Sequence, residues 1–328
     1  MTDKLRGDVL VTGGAGAIGS RLVGRLLSED VYVTIIDDLS SGYAWLVPND
    51  PRVTLVVEDV CRLGEARLKC ARPTVFHLAA FFANQNSVDH PADDLHTNGL
   101  GTLSALLWSQ QRDARRLVYA SAGCSIAGHD VTGPIREDMP VSLHLSTPYQ
   151  ITKALGEFYC NYFEPAVETV RCRFFNSFGP GEVPGPYRNV IPKFIWCAIK
   201  HLPLTITGTG EETRDFIYVD DLVSGLFASA VAPGVSGEAF NLGTGKETRI
   251  IDLAEMIIRL CNSRSRVEFA ARRPWDKSVT RQACVDKAAK RLNFQPRTGV
   301  EEGLAATVEW FYQNMPKIEA AVPARMVA

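Results

Sequence analysis

From Asp8 to about Phe174, short runs of β-branched and aliphatic residues alternate with longer segments whose apolar positions recur at helical spacing. That alternation is the signature of stacked βαβ units around a parallel sheet. The strands fall at Val9-Leu10-Val11, Val31 to Ile36, Val53 to Val57, Thr74 to His77, Leu117 to Ala120 and Thr169 to Phe174. Helices are expected between them, among them Ile18 to Leu27 and Pro91 to Trp108, where proline suits a first helical position. Right-handed crossovers then give an α/β, Rossmann-type doubly wound sheet. After Phe175 the texture changes, with Gly179-Pro180-Gly181 and Pro184-Gly185-Pro186 marking a loop before an amphipathic stretch from Val190 to Lys200. Phe216 to Ala230 and Ala239 to Leu242 are apolar enough to return to the sheet, whereas Ile250 to Leu260 and Thr298 to Tyr312 read as helices of a smaller lobe. The expected division is therefore interleaved: residues 1–175 with about 215–245 in the sheet domain, and 176–214 with 246–328 in a smaller C-terminal α/β lobe. Ala320 to Ala328 reads as a loose tail.

Composition narrows the class without changing the fold. The 328 residues are 46% hydrophobic and 22% charged with a formal net charge of −2, so a globular protein is expected and no basic field for nucleic acid or anionic lipid exists. There is no membrane-length apolar run, and Met1 to Arg6 lack the apolar segment of a signal peptide, which points to the cytoplasm. The eight cysteines are scattered with no Cys-x-x-Cys pair and no His cluster, so free thiols and no metal are expected.

The first chemistry lies at the end of the first strand, where Thr12-Gly13-Gly14-Ala15-Gly16-Ala17-Ile18-Gly19 runs from strand into helix. A phosphate can approach only where side chains are absent, and the helix beginning near Ala17 offers free N–H groups and the positive end of its dipole. Gly19 lets that helix pack closely on the strand. The next strand ends in Asp37-Asp38, placing Asp37 to bond the ribose hydroxyls of NAD and to repel the 2′-phosphate of NADP. Asp59 and Val60, after the third strand, could hold the adenine amino group. Leu78-Ala79-Ala80, closing the fourth strand in small residues, lets the cofactor backbone come close.

Tyr149 and Lys153 stand one turn apart on the same face of a helix. A phenol ionises near pH 10 in water, but a neighbouring ammonium and a positive nicotinamide ring lower that value. Tyr149 is thus the expected base and Lys153 its activator.

Together with these residues, His77-Leu78-Ala79-Ala80, Asn98-Gly99-Leu100-Gly101-Thr102, Arg173 to Pro180, Thr213 to Asp221 and Asn241-Leu242-Gly243 make the chain similar to an extended short-chain dehydrogenase/reductase of the nucleotide-sugar epimerase/dehydratase group over nearly its whole length. The resemblance implies NAD as cofactor, with Asn98 and Ser121 beside it, and a nucleotide-diphosphate sugar, with a UDP-sugar favoured, in a cleft between the lobes. Asn176 would bond the diphosphate, Arg214 and Arg273 would neutralise it, and Asn189 and Val190 would border the nucleobase. Phe82 and Asn84, with Gln85 and Asn86, would line the sugar pocket. Arg214 also has a plainer reading as an ion pair with Asp215, and Trp275 stands where similar proteins carry a small residue. A homodimer through two sheet-flanking helices is the usual arrangement.

One departure bears on the reaction. Similar proteins place a Ser or Thr just after the fifth strand to bond the reacting oxygen, and here Ala122 occupies that place. Ser125 is our choice for the hydroxyl, with Ser121 and Cys124 as alternatives; the further reading is that the hydroxyl is absent and Tyr149 works with a water or alone. Sugar dehydratases carry an Asp-Glu pair in this loop, and Ala122 to Gly128 has neither, so C4 epimerisation through a 4-keto sugar is favoured. Uronate decarboxylation, keto-sugar reduction, dehydration and a non-catalytic NAD-binding sensor are the rival readings.

Overall fold

The structure, a computed structural model, describes residues 4–128, 131 and 133–322, with the side chains of Cys124 and Ser125 outside the description. Strands β1 (Arg6–Thr12), β2 (Asp30–Asp37), β3 (Val53–Val57), β4 (Thr74–His77), β5 (Arg116–Ala122) and β6 (Thr169–Phe174) form one parallel sheet, completed by an edge strand at Ala239–Leu242. Across the sheet the order runs from Ala239–Leu242 through β6, β5, β4, β1 and β2 to β3. The direction of winding reverses between β1 and β4, and ligands of open α/β sheets bind in the crevice outside the strand ends at such a reversal.

Strand alternation sorts the core. In β1, Val9 and Val11 face a cluster with Leu22 and Leu26 of helix α1 (Ala17–Leu26), while Leu10 faces the opposite cluster with Leu106, Trp108 and Phe163. A third cluster, built by Phe194, Ile195, Trp196, Leu253, Ile257, Leu304 and Phe311, holds the helices Val190–Ile199, Ile250–Leu260 and Val300–Ala321 together. No described helix is long and apolar enough to cross a membrane.

Three expectations need correction. Only Ala239–Leu242 returns to the main sheet. Phe216–Tyr218 is a short strand that pairs with Asn176–Phe178 outside it, and Val219–Val231 is a helix. Buried Val219, Leu222, Val223, Leu226 and Ala230 follow helical spacing, and Asp220 and Asp221 complement the helix N-terminus. The segment from Pro91 is divided into Pro91–Asp94, a π-helical turn Leu95–Leu100 and Gly101–Gln111. The last helix reaches Ala321 rather than Tyr312, so the expected tail is helical through Ala321, and residues 323–328 lie outside the described ones.

A buried chain of polar groups ties the strand ends at the crevice. Thr102 Oγ1 donates to the Asn98 carbonyl at 2.6 Å, so it accepts from His77 Nε2 at 3.0 Å. His77 Nδ1 therefore accepts from Thr12 Oγ1 at 2.8 Å, and Thr12 Oγ1 accepts from the Ala79 N–H at 3.2 Å. This assigns the Nε2-protonated, neutral ring. Complete burial and the Lys153 ammonium push the His77 pKa down to about 3. Between that value and the ordinary 6.5 the unfolded chain takes up a proton that the folded one refuses, so stability falls as pH drops through this window. Lowering the pH from 7 to 5 should therefore cost the wild type about 2 kcal/mol more unfolding free energy than a His77→Gln variant, read from urea titrations at both values; equal losses would show that His77 titrates normally.

Candidate functional site

The crevice opens into a cavity of about 550 Å³ that runs from the β1 turn past β4 and β5 to the third hydrophobic cluster. Its first wall is the glycine turn. Gly13 has φ +72°, and a Cβ there would lie 2.6 Å from the Ala79 nitrogen; a Cβ on Gly19 would lie 2.1 Å from the Gly13 carbonyl oxygen. The turn is thus pressed against β4 on one side and α1 on the other. Helix α1 starts after Gly16, which supplies no side-chain cap, leaving its first N–H groups directed at the cavity that Gly16, Ala17 and Ile18 line. Asp37, 6% exposed at the end of β2, accepts from the Ala15 N–H and the Leu39 N–H, both at 2.9 Å, which locks the turn to the second strand. Burial is the main cause of its raised pKa, opposed by those two bonds. One lone pair on each oxygen remains for a ribose. These features fit a dinucleotide: a floor without side chains, an uncapped helix end and a carboxylate at the adjacent strand.

Asp38, Asp59, Val60, Leu78, Ala79 and Ala80 also line the cavity. Asp59 bonds His96 Nε2 at 3.0 Å, and Cys61 Sγ lies 3.2 Å from the His96 carbonyl. Asp59, Cys61 and His96 are the group with metal-ligand geometry among the described residues. Burial and Asp59 push the Cys61 thiol up to about 12, the opposite of a ligating thiolate.

The middle of the cavity carries Tyr149 and Lys153. Their helix, Pro148–Phe163, is started by Thr147, whose Oγ1 accepts from the Gln150 N–H, with Pro148 at the first position. Lys153 Nζ lies 5.7 Å from the Tyr149 ring centroid and donates to the Ala120 carbonyl at 3.0 Å. Burial lowers the lysine to about 8, and Asp94 works against that shift. Phe82 packs edge-on against the Tyr149 ring at 6.0 Å. Asn84 lines the cavity, but its Oδ1 already accepts from Thr147 Oγ1 at 2.7 Å.

Two residues expected beside the cofactor are engaged elsewhere. Asn98 is not among the lining residues; it bonds both backbone polar groups of Phe81, Asp94 Oδ1 and Thr152 Oγ1. Ser121 lines the wall, yet its hydroxyl donates to Glu157 Oε1 at 2.6 Å, in a buried pair with Arg173. Ala122, the last residue of β5, lines the cavity where a hydroxyl was sought. Ser125 belongs to the short helix Gly123–Ile126, and its side chain lies outside the described residues.

At the far end, Asn176, Asn189, Val190, Arg214 and Arg273 line the cavity as expected. Asn176 Oδ1 is buried without a partner. Arg214 pairs with Asp276 at 3.2 Å, and Asp215 accepts from Thr244, Gly245 and Ala283, so the plainer reading of Arg214 as an ion pair holds with Asp276 in place of Asp215. Sequence reading missed Arg281. It is 8% exposed, lies 3.6 Å from Asp276, lines the cavity and has a buried Nε with no partner. Its side-chain partners, Ser278 and Asp276, are three and five residues away, and what the sequence does not show is that this turn faces the cavity.

Residues 9–243 match the family described as "NAD dependent epimerase/dehydratase family". The chain belongs to this family. NAD is the cofactor of the family, and the glycine turn with Asp37 has the features such a ligand needs. The chain is 34% identical to a UDP-glucose 4-epimerase of Mycolicibacterium smegmatis, over 92% of this chain and 97% of that protein. It is 31% identical to a UDP-N-acetyl-alpha-D-glucosaminuronate decarboxylase of Bacillus cytotoxicus, with the same coverage of each. A solved epimerase of Methanothermobacter thermautotrophicus superposes with a TM-score of 0.92 at 44% identity, covering 98% of this chain and 96% of that one. Family membership makes the protein an enzyme of this NAD-dependent group.

The clearance at Gly19 gives a direct test. Gly19→Ala should lower stability by about 1–3 kcal/mol and weaken NAD binding, read by thermal melts with and without NAD; an unchanged melt would show that the helix start can move freely.

Proposed function

We propose that the protein epimerises a UDP-sugar at C4, with Tyr149 as the acid–base group. The observation that carries this is the placement of Tyr149 in one cavity with the glycine turn, over a wall whose stretch Ala120 to Gly128 contains no carboxylate. When bound, NAD supplies a reversible hydride acceptor for C4. Tyr149 Oη takes the C4 hydroxyl proton and returns it after the 4-keto sugar has turned over. Lys153 holds positive charge beside the phenol, stabilising its ionised form. Ala122 itself gives the reacting oxygen no hydroxyl, and Tyr149 is its partner on the neighbouring helix. A dehydration needs an acid and a base at neighbouring carbons, and Ala120 to Gly128 supplies neither.

Asp37 would accept the ribose hydroxyls of NAD, and the exposed start of α1 would face its pyrophosphate. Arg214, Arg273, Asn176 and Arg281 would hold the diphosphate of the substrate, and Asn189 and Val190 would border its base. A homodimer is supported by apolar side chains left in water on neighbouring elements: Leu100 of the π-helical turn and Leu107 of the helix that follows it, and Ile151, Phe158 and Tyr162 of Pro148–Phe163, with Phe158 56% and Tyr162 77% exposed.

Purified protein with NAD and a panel of UDP-, dTDP- and GDP-sugars, followed by NMR of the sugar ring protons, should show inversion at C4 without net NADH. Carbon dioxide release, or a dehydrated sugar, would overturn the reading in favour of a related reaction. Tyr149→Phe should lower kcat at least about a hundred-fold while NAD still binds. The alkaline limb of the kcat profile should fall with a midpoint of about 8 as Lys153 loses its proton, and Lys153→Arg, which does not titrate there, should lose that limb. Phe158→Glu with Tyr162→Glu should yield monomers in light scattering; a dimer surviving both changes would place the interface elsewhere.

A further inference from the structure

A side-chain bridge closes across the cavity between segments far apart in the chain. Trp275 Nε1 donates to Gln85 Oε1 at 2.8 Å, and Gln85 Nε2 donates onward to Asp89 Oδ1 at 2.9 Å. Trp275 sits on a turn closed by the Asp276 N–H to the Arg273 carbonyl and the Lys277 N–H to the Trp275 carbonyl, both 3.1 Å. The next residue, Asp276, is held by Arg214 at 3.2 Å and faces Arg281 at 3.6 Å. The Arg273 guanidinium lies 5.6 Å from the indole centroid. The turn is thus fastened at two points: by Asp276 to the arginine end of the cavity, and by Trp275 to the segment carrying Phe82, which touches the Tyr149 ring.

We propose that Trp275 and Gln85 form a strap over the sugar half of the cavity that limits the bulk of the sugar accepted. This rests on the nucleotide-sugar reading above. An indole is large and rigid, and both residues line the cavity, so a substituent pressing on the strap must displace it. Displacement breaks the part-buried bond between Trp275 and Gln85 and loses its net contribution. A compact sugar passes beneath without that loss. The discrimination is of the order a shaped pocket gives for a small extra group, roughly ten-fold.

The test measures equilibrium binding of UDP, UDP-glucose and UDP-N-acetylglucosamine to the NAD-loaded protein and to Trp275→Ala, Gln85→Ala and the double variant. Affinity for UDP should stay within about two-fold, which also shows that the fold and the arginine end are intact. In Trp275→Ala the preference for UDP-glucose over UDP-N-acetylglucosamine should fall roughly ten-fold. Gln85→Ala should shift it the same way by less, and the double variant should match Trp275→Ala alone, as expected for groups acting through one bond. An unmoved ratio, additive effects, or an equal loss for all three ligands would overturn the strap while leaving the epimerase reading intact. Failure of the unmodified protein to bind any UDP-sugar would overturn both.

Discussion

The crossing of the first strand and first helix leaves no room for a side chain, and the rest of the site follows from that crowding. A Cβ at Gly19 would fall 2.1 Å from the Gly13 carbonyl oxygen, and one at Gly13 would strike the backbone after β4. Because α1 must start this close to the sheet, its uncapped N–H groups end up at the point where the strand order reverses. Asp37 then fixes the turn from β2, and Thr12 with His77 fixes it from β4. Three neighbouring strands are thereby held to one geometry by a carboxylate, a hydroxyl and a neutral imidazole. Each of these is buried, so each bond is made where water cannot compete for it.

This part of the molecule was legible in the sequence because its signals are local. Strand, glycine spacing, helix and the acidic end of the next strand are consecutive features, and the six strands up to Phe174 were placed from run length alone. Phe216 to Ala230 was misread because apolar content was used without its period; the buried positions Leu222, Leu226 and Ala230 repeat every four residues, which is helical. The π-helical turn at Leu95–Leu100 leaves no mark in a hydrophobic pattern that continues through it. The plainer reading of Arg214 as an ion pair named its neighbour Asp215, whereas folding delivers Asp276 from 62 residues away. The Trp275–Gln85 bridge was invisible for the same reason: its two residues lie 190 positions apart and no motif links their segments.

At the wall formed by β5, the Ser121 hydroxyl is already committed to a buried ion pair. Ser121 donates to Glu157, and Glu157 receives both Nε and Nη2 of Arg173 at 2.8 and 2.7 Å. Removing one partner from a buried pair of this kind leaves an uncompensated charge, so the hydroxyl is held by a group with stronger claims on it. Ala122 then presents only a methyl group to the cavity. In the proposed reaction Tyr149 would therefore have no help from Ser121 or Ala122 at this wall.

Asn98 acts from behind the wall. It does not line the cavity, yet it bonds Asp94, which also accepts from Thr152 Oγ1 at 2.8 Å. Those two bonds hold the Asp94 carboxyl towards its charged form against the burial that raises its pKa. The charged carboxylate in turn opposes the desolvation of Lys153, and a lysine buried without it would titrate lower still. Asn98 is therefore two steps removed from the phenol of Tyr149, through Asp94 and then Lys153. Its side chain also fixes the Phe81 backbone, so the same residue sets both the charge behind Tyr149 and the start of the loop that brings Phe82 against its ring.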